Sequence, residues 1–317
     1  GVFIQGESEV ASANMAFGAA AAGVRSMTSS SSCGISLKSE AISWMAGARL
    51  PVVVANFQRG GPGIGTIQPA QQDYTQATKA SGKGGFKMPV LSPSTLQEAV
   101  DMTWQAFELA DKYSTPVLLL MDGFTGTMME PVELPEAKTP EEVAAIRASK
   151  TWAATGKKGG PQHKVMCGPG LDTRVSQEQM NKRDAELYES WKTTEVEYED
   201  YMTEDAEIVR TAYGTPARIV KSAVNALRKK GIAAGCIRPI TLYPFPDDAF
   251  AACAARSCTK AFLSVELSLG QMVEDVRLAV NGKKPVYFYG RTGGNVPDEE
   301  ESVRAAEDAL AKAEAKR

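Results

Sequence analysis

Four short stretches of the chain hold residue types that could do chemistry. The first, Gly6-Glu7-Ser8-Glu9, lies between an apolar run and an Ala-rich segment. Two carboxylates at a strand-to-helix junction sit where α/β proteins bind ligands, beyond the carboxyl end of a strand. The same residues have a structural use, because the helix dipole stabilises acidic side chains in a first turn by ~0.3–1 kcal/mol. The second stretch, Thr28-Ser29-Ser30-Ser31-Ser32-Cys33-Gly34, immediately precedes a helical pattern. Hydroxyls and backbone N–H groups at a helix start can hold an anion or the polar edge of a ligand. A run of Ser also makes an ordinary turn or cap.

The third stretch, Gln58-Arg59-Gly60-Gly61-Pro62-Gly63-Ile64-Gly65-Thr66, follows an apolar run at 51–55. It places a lone Arg at the carboxyl end of a strand, and a guanidinium fork suits a carboxylate through paired hydrogen bonds. It contains neither G-x-G-x-x-G nor G-K-[ST], so it is neither a dinucleotide fingerprint nor a P-loop. A flexible turn with a surface Arg is the alternative. The fourth stretch, Arg238-Pro239-Ile240-Thr241-Leu242-Tyr243-Pro244-Phe245-Pro246, is stiff and apolar, suited to packing on another domain or subunit rather than to chemistry. His163, the one histidine, falls in a Gly-, Pro- and Lys-rich stretch and reads as a surface residue, which leaves Ser–His or Cys–His catalysis without support. Cys33, Cys167, Cys236, Cys253 and Cys258 are scattered and lack C-x-x-C spacing, so they read as reduced thiols rather than as ligands of zinc or an iron–sulfur cluster.

These residues need elements to hold them. Apolar runs at 2–4, 51–55 and 116–121 alternate with segments of helical spacing, the pattern of a parallel α/β sheet. Residues 11–22 form an Ala-rich helix with Gly23 as its C-cap, and Leu37, Ala41, Trp44 and Ala48 mark the buried face of the next. Leu96, Val100, Trp104, Phe107 and Ala110 line one face of a further helix ahead of the run at 116–121. From Glu130 the texture changes to Pro-, Gly- and Lys-rich sequence and then to a heavily charged segment. The expected organisation is a first α/β domain at 1–134, a connector with a charged helix at 135–205, and a second α/β domain at 206–317. The second domain is read as a helix at 217–230, a short apolar run at 232–237, strands at 261–265 and 286–289 around a helix at 270–280, and a terminal charged helix at 298–316.

Bulk properties agree with this division. At 317 residues the chain exceeds the ~100–200 residues of one ordinary domain. A net charge of -3 offers no basic excess for nucleic acid. No apolar run approaches the ~20 residues that span a bilayer, and no leader precedes Gly1, so the expectation is a cytoplasmic protein without a membrane partner. The chain opens at Gly1 in what reads as a strand heading into a helix, and the N-terminal part of the first domain is expected to be missing.

Taken in order, these segments resemble the alpha-type subunits of 2-oxoacid:ferredoxin oxidoreductases. The resemblance rests on Gln5-Gly6-Glu7-Ser8-Glu9-Val10-Ala11, residues 27–34 and 58–65, Ala110-Asp111-Lys112-Tyr113, Tyr213-Gly214, residues 238–246, Val265-Glu266-Leu267-Ser268-Leu269-Gly270-Gln271-Met272, and Gly290-Arg291-Thr292-Gly293-Gly294, and so covers nearly the whole chain. Residues 27–34 followed by 60–69 are most similar to the type that acts on branched 2-oxoacids such as 3-methyl-2-oxobutanoate (ketoisovalerate); a 2-oxoglutarate-specific member is the runner-up. A non-catalytic scaffold subunit is the reading from another class.

The resemblance implies a pyrimidine-type, thiamine-diphosphate-binding parallel-sheet domain followed by a smaller α/β domain like the C-terminal domain of transketolase. It implies oxidative decarboxylation of a 2-oxoacid with coenzyme A, giving acyl-CoA, carbon dioxide and reduced ferredoxin. The cofactor would be shared: this chain grips the aminopyrimidine, while a beta-type partner holds the diphosphate and Mg2+. Met121-Asp122-Gly123 lacks the leading Gly of a diphosphate motif, so no metal site is expected here. Gamma- and delta-type partners with a ferredoxin-like domain would carry the iron–sulfur clusters. By resemblance Glu9 bonds the pyrimidine ring nitrogen, Glu7 being the lesser choice; Ser31 and Ser32 line the cofactor, and Arg59 pairs with the substrate carboxylate. The family's N-terminal strand and its Pro-Ile-Thr-Pro loop with a substrate-side Thr have no counterpart in these residues.

Overall fold

Two sheets, each mostly parallel, form where the short aliphatic runs alternate with helical segments. The structure is a computed structural model that describes residues 1–79, 82–156 and 174–315, without the side chains of 174 and 175. In chain order the first part contains α1 (Glu9–Ala21), β1 (Ser26–Ser30), α2 (Cys33–Gly47), β2 (Val52–Gly60), β3 (Thr66–Pro69), α3 (Tyr74–Thr78), β4 (Val90–Leu91), α4 (Leu96–Tyr113), β5 (Val117–Asp122), α5 (Gly123–Thr127), α6 (Pro140–Ser149) and α7 (Arg174–Thr194). The second part contains β6 (Tyr198–Tyr201), β7 (Ile208–Thr211), α8 (Thr215–Lys229), β8 (Ala234–Pro239), β9 (Thr241–Tyr243), α9 (Asp247–Ala255), β10 (Ala261–Glu266), α10 (Met272–Val280), β11 (Val286–Gly290) and α11 (Glu299–Glu314). His163 and Cys167 lie outside the described residues.

The first sheet runs β1-β2-β5-β4-β9, with β3 folded back antiparallel on the end of β2. Strands β1, β2, β5 and β4 are parallel. Both β2 and β5 bury their aliphatic residues on both faces, which is why they read as continuous apolar runs rather than alternating ones. The second sheet runs β11-β10-β7-β8-β6, parallel except for β6.

The Pro-rich loop does pack on the other domain. After β8 the chain leaves the second sheet, and β9 pairs antiparallel with β4 in the first, Val90 opposite Tyr243. Beside it the buried Arg238 guanidinium forms an ion pair with Glu98 of α4 at 2.9 Å and donates to Ser94. A second latch is Asp122, buried at the end of β5. It accepts from Phe124 N and Thr125 N at the start of α5, and from Thr215 N (3.1 Å) and Oγ1 (2.8 Å) at the start of α8. A carboxylate serves both helix starts because each presents unpaired N–H groups and a positive dipole end.

Three local expectations need correction. Residues 2–4 form no strand; Val2, Phe3 and Ile4 are exposed and join no ladder, and β1 is the edge strand of the sheet. Around α2 the expected Ala41 and Ala48 are buried, but Leu37 and Trp44 are 53% and 49% exposed, and Ile35, Lys38, Ile42 and Met45 complete the buried side. The helix has apolar residues on more than one side, and a Lys in the buried stripe hid the correct one. In α4 the deepest residues are Met102, Ala106, Leu109 and Ala110, a stripe rotated from the expected one, which stays half-buried except at Ala110.

Candidate cofactor and substrate site

Helix α1 begins where Ser8, in extended conformation, caps it by accepting from Ala11 N at 3.2 Å. That cap makes Glu9 the first helical residue and leaves it half-buried, while Glu7 is exposed. Strand β1 then delivers Ser30, Ser31 and Ser32 at its carboxyl end, and the chain turns into α2 through Ser32 at φ 53°. Immediately afterwards Gly34 packs directly against Glu9. A Cβ on Gly34 would lie 2.8 Å from Glu9 Cγ and 3.0 Å from its Oε1, and would collide with the Ser30 hydroxyl. The glycine is thus a notch that lets the first two sequence motifs meet.

The third motif joins them from the neighbouring strand. Ser32 Oγ (3.4 Å) and Cys33 Sγ (3.2 Å) both donate to the carbonyl of Gly63 in the turn between β2 and β3. That turn is closed by Gly65 at φ 55°, where a side chain would strike the Gly60 carbonyl. Since β1 and β2 are parallel neighbours, Ser30 opposite Asn56, all three motifs sit beyond the carboxyl ends of adjacent strands.

Strand β2 also leaves polar atoms without partners. Arg59 Nε, Asn56 Oδ1 and Gln58 Nε2 are buried and make no hydrogen bond. Asn56 Nδ2 does donate to Asp73 Oδ2, and Gln58 Oε1 accepts from Asp73 N. Burial pushes the Asp73 carboxyl above its ordinary range, with the Asn56 bond opposing. Gln58 and Arg59 point to opposite faces of the strand; unpaired buried donors are uncommon in folded chains, and the one on Arg59 marks a place where an oxygen-bearing ligand would satisfy it.

The second domain braces this region through glutamines. Gln72 Oε1 accepts from Gly61 N at 2.6 Å, Gln271 Nε2 donates to Gln72 O, and Gln271 Oε1 accepts from Thr75 N. Gln271 is itself fixed by Glu266, a fully buried carboxylate at the end of β10. Glu266 accepts from Ser264 Oγ, Ser268 Oγ and the backbone N–H groups of Gln271, Met272 and Val273. Gly294, in the loop after β11, packs on Gln68 of β3.

The structure therefore gathers Glu9, Ser30 to Ser32 and the Arg59 loop in one place, and puts the Arg238 loop elsewhere, in a structural joint. Sequence reasoning left Glu266 without a role and missed Lys38 altogether. Lys38 is 1% exposed and lies beneath the first two motifs, donating to Ser12 Oγ of α1 (2.7 Å) and Thr28 Oγ1 of β1 (2.5 Å). Burial pulls its ammonium below the usual lysine range, while the charge of Glu9 acts in the opposite direction. Its signal was present: a lone Lys in line with Ile35, Ile42 and Met45. Cys33 is exposed, Cys236 and Cys253 are buried, Cys258 is half-buried, and all four are free thiols. Among the described residues no three His, Cys, Asp or Glu side chains converge as a metal site, and no helix is long and apolar enough to cross a membrane.

A mostly parallel sheet with its polar motifs at the strand ends, followed by a second such sheet, places the protein in the class of two-domain α/β proteins that bind ligands beyond the strands' carboxyl ends. The same chain architecture occurs in a 2-oxoglutarate:ferredoxin oxidoreductase from Magnetococcus marinus, with a TM-score of 0.81 at 24% identity over 98% of this chain and 57% of that one. It also occurs in a split-gene transketolase, with a TM-score of 0.58 at 16% identity over 98% of this chain and 83% of that one. Residues 1–200 match the thiamine-diphosphate-binding family of pyruvate flavodoxin/ferredoxin oxidoreductases, and residues 206–302 match core domain II of pyruvate:ferredoxin oxidoreductase. The chain is 46% identical to the ketoisovalerate oxidoreductase subunit VorB of Methanothermobacter thermautotrophicus over 93% of this chain and 81% of the relative. It is 30% identical to the 2-oxoglutarate synthase subunit KorA of that organism over 95% and 85%. The chain belongs to the 2-oxoacid:ferredoxin oxidoreductases, as an alpha-type subunit.

Proposed function

We propose that this chain supplies the aminopyrimidine side of a thiamine diphosphate site and the carboxylate anchor for a branched 2-oxoacid, 3-methyl-2-oxobutanoate. The observation that carries the reading is the meeting of Glu9, Gly34 and the Gly63 turn beyond the ends of β1 and β2. The residues fit the cofactor: a half-buried carboxylate beside a glycine notch and a row of hydroxyls matches a flat heterocycle with polar edges. Thiamine diphosphate, when bound, supplies the carbanion chemistry of decarboxylation.

Glu9 holds and exchanges a proton at the pyrimidine ring nitrogen, a task suited to a carboxylate whose hydrogen bond is strengthened by partial burial. Ser31 and Ser32 set the rim of the pocket. Arg59, whose Nε lacks a protein partner, takes the substrate carboxylate. Its loop carries Ile64 and no second basic residue, which favours an aliphatic side chain over the second carboxylate of 2-oxoglutarate. The diphosphate and Mg2+ belong to a beta-type partner, and iron–sulfur clusters on gamma- and delta-type partners carry electrons to ferredoxin, with coenzyme A as acyl acceptor. The assembly works in the cytoplasm.

The test is acceptor reduction by the complex that co-purifies with this chain, comparing 3-methyl-2-oxobutanoate, 2-oxoglutarate and pyruvate with and without thiamine diphosphate and coenzyme A. Turnover that prefers the branched acid and collapses in Glu9→Gln supports the proposal. Preference for 2-oxoglutarate overturns the substrate, and no turnover with a saturated cofactor site favours a scaffold subunit.

A further inference from the structure

Lys38 has no place in the roles above, yet its position is costly. A lysine ammonium buried to 1% exposure is among the rarest arrangements in a folded domain unless it is paired. Among the described residues Lys38 forms no direct ion pair. Two of its three protons go to neutral hydroxyls, Ser12 Oγ and Thr28 Oγ1. Neutral partners do not offset the desolvation of a charge, so packing alone gives no reason for a cation here; an apolar side chain of similar volume would fill the space at lower cost.

The location supplies the reason. Ser12 lies one helical turn after Glu9 on the same helix, and its hydroxyl also donates to the Glu9 carbonyl at 3.1 Å. Thr28 lies on β1, two residues before Ser30, whose hydroxyl faces Gly34 and hence Glu9. Lys38 itself is one turn after Gly34 on α2. The ammonium therefore ties together the three elements that surround Glu9, and Glu9 is the carboxylate whose charge reaches it.

We propose that Lys38 is a positioning residue for Glu9: its buried ammonium, reaching from α2 to hydroxyls of α1 and β1, fixes the carboxylate's place between these three elements. This inference rests on the reading of Glu9 as the pyrimidine-bonding carboxylate. The carboxylate must meet the ring nitrogen in a fixed geometry, and the hydrogen bonds from Lys38 tie α1, which carries it, and β1, which flanks it, to α2.

Lys38→Met removes charge and hydrogen bonds at similar volume; Lys38→Gln removes the charge but keeps a donor for the hydroxyls. Both are made in the complex as it purifies, beside Glu9→Gln and the double variant Lys38→Gln/Glu9→Gln. The readouts are kcat, the Kd for thiamine diphosphate, the thermal midpoint, and the near-ultraviolet circular dichroism of the cofactor's amino and imino forms. The expected result is a kcat lowered about 10- to 100-fold in Lys38→Met, the cost of a misplaced catalytic group, and less in Lys38→Gln, which keeps a donor, with an altered dichroism spectrum, a Kd changed little and a midpoint equal to or above that of the parent.

The double variant should be no slower than Glu9→Gln alone, because a residue that acts through another is silent once the other is gone. Wild-type kcat in Lys38→Met would sink the proposal, and a lowered midpoint with lost cofactor binding would reduce Lys38 to a structural role. An additive double variant would place its action elsewhere than Glu9. If Glu9→Gln retains full activity, the underlying reading of Glu9 fails first, which separates that failure from a failure of Lys38.

Discussion

Replacing Glu266 by Gln tests how the second domain controls the site in the first. The carboxylate is fully buried and receives five hydrogen bonds: Oε1 accepts from Ser264 Oγ (2.9 Å) and Val273 N (2.8 Å), and Oε2 from Ser268 Oγ (2.8 Å), Gln271 N (2.9 Å) and Met272 N (3.1 Å). A glutamine amide must put its NH2 at one of these positions. The less costly choice is the Oε1 side, where the Ser264 hydroxyl can turn to accept but the Val273 N–H is left facing another donor. One buried unpaired donor costs about 1–3 kcal/mol.

The three remaining bonds weaken from charge-assisted to neutral, and the favourable interaction of an anion with the start of α10, ~0.3–1 kcal/mol, is lost. Relief from burying a charge offsets part of this. The net expectation is a local loss of about 2–4 kcal/mol, or roughly 30- to 1,000-fold faster amide hydrogen exchange at Gln271, Met272 and Val273. Exchange is the right assay because a chain with two sheets need not unfold in one step. Through Gln271, Gln72 and Gly61 the slackening should also raise KM for the 2-oxoacid without lowering cofactor affinity. Protection within threefold of the parent at those three amides would refute the account of Glu266 as the post on which the loop hangs.

Gly34→Ala should weaken thiamine diphosphate binding about tenfold to 100-fold while the fold survives, since overpacking costs about 1–3 kcal/mol and falls on Glu9; an unchanged Kd in calorimetric titration would contradict the notch. Arg59→Gln should raise KM for the 2-oxoacid about 10- to 100-fold, the worth of a charge-assisted hydrogen bond of about 1.5–3 kcal/mol, with kcat less affected in steady-state assays. Burial opposes ionisation of Glu98, but its bonds from Arg238 and Ser94 outweigh that and hold its carboxyl below the ordinary value of 4.5. A depressed folded value stabilises above pH 4.5 and is lost as acid carries the group through its lower folded value. Thermal midpoints should therefore fall on acidification below that point, and Arg238→Met should flatten this part of the curve.

The sequence determined the alternation that makes a parallel α/β sheet, because buried strands must be aliphatic on both faces and the helices between them must have an apolar side. It also determined helix ends: Gly23, Gly231 and the Asp298 cap fall where the chain turns. The motifs at Glu9, Ser31 and Arg59 were legible as polar stretches at the ends of apolar or helical segments; that no strand precedes Glu9 and that Arg59 leads into the turn between β2 and β3 rather than into a helix came only from the structure. Which side of α2 is buried was not legible, since Leu37 and Trp44 are as apolar as Ile35 and Ile42, and periodicity cannot choose between two apolar stripes.

Tertiary structure made that choice, and with it placed Lys38 beneath Glu9. It also decided that Asp122 joins α5 to α8, that Arg238 meets Glu98, and that Glu266 holds Gln271. The first two depend on residues far apart in the chain, brought together only when the two sheets dock, whereas Glu266 and Gln271 are near neighbours whose role is set by what Gln271 then reaches. Residue type and spacing set local conformation, whereas the partner of a buried charge is fixed by which elements pack against it.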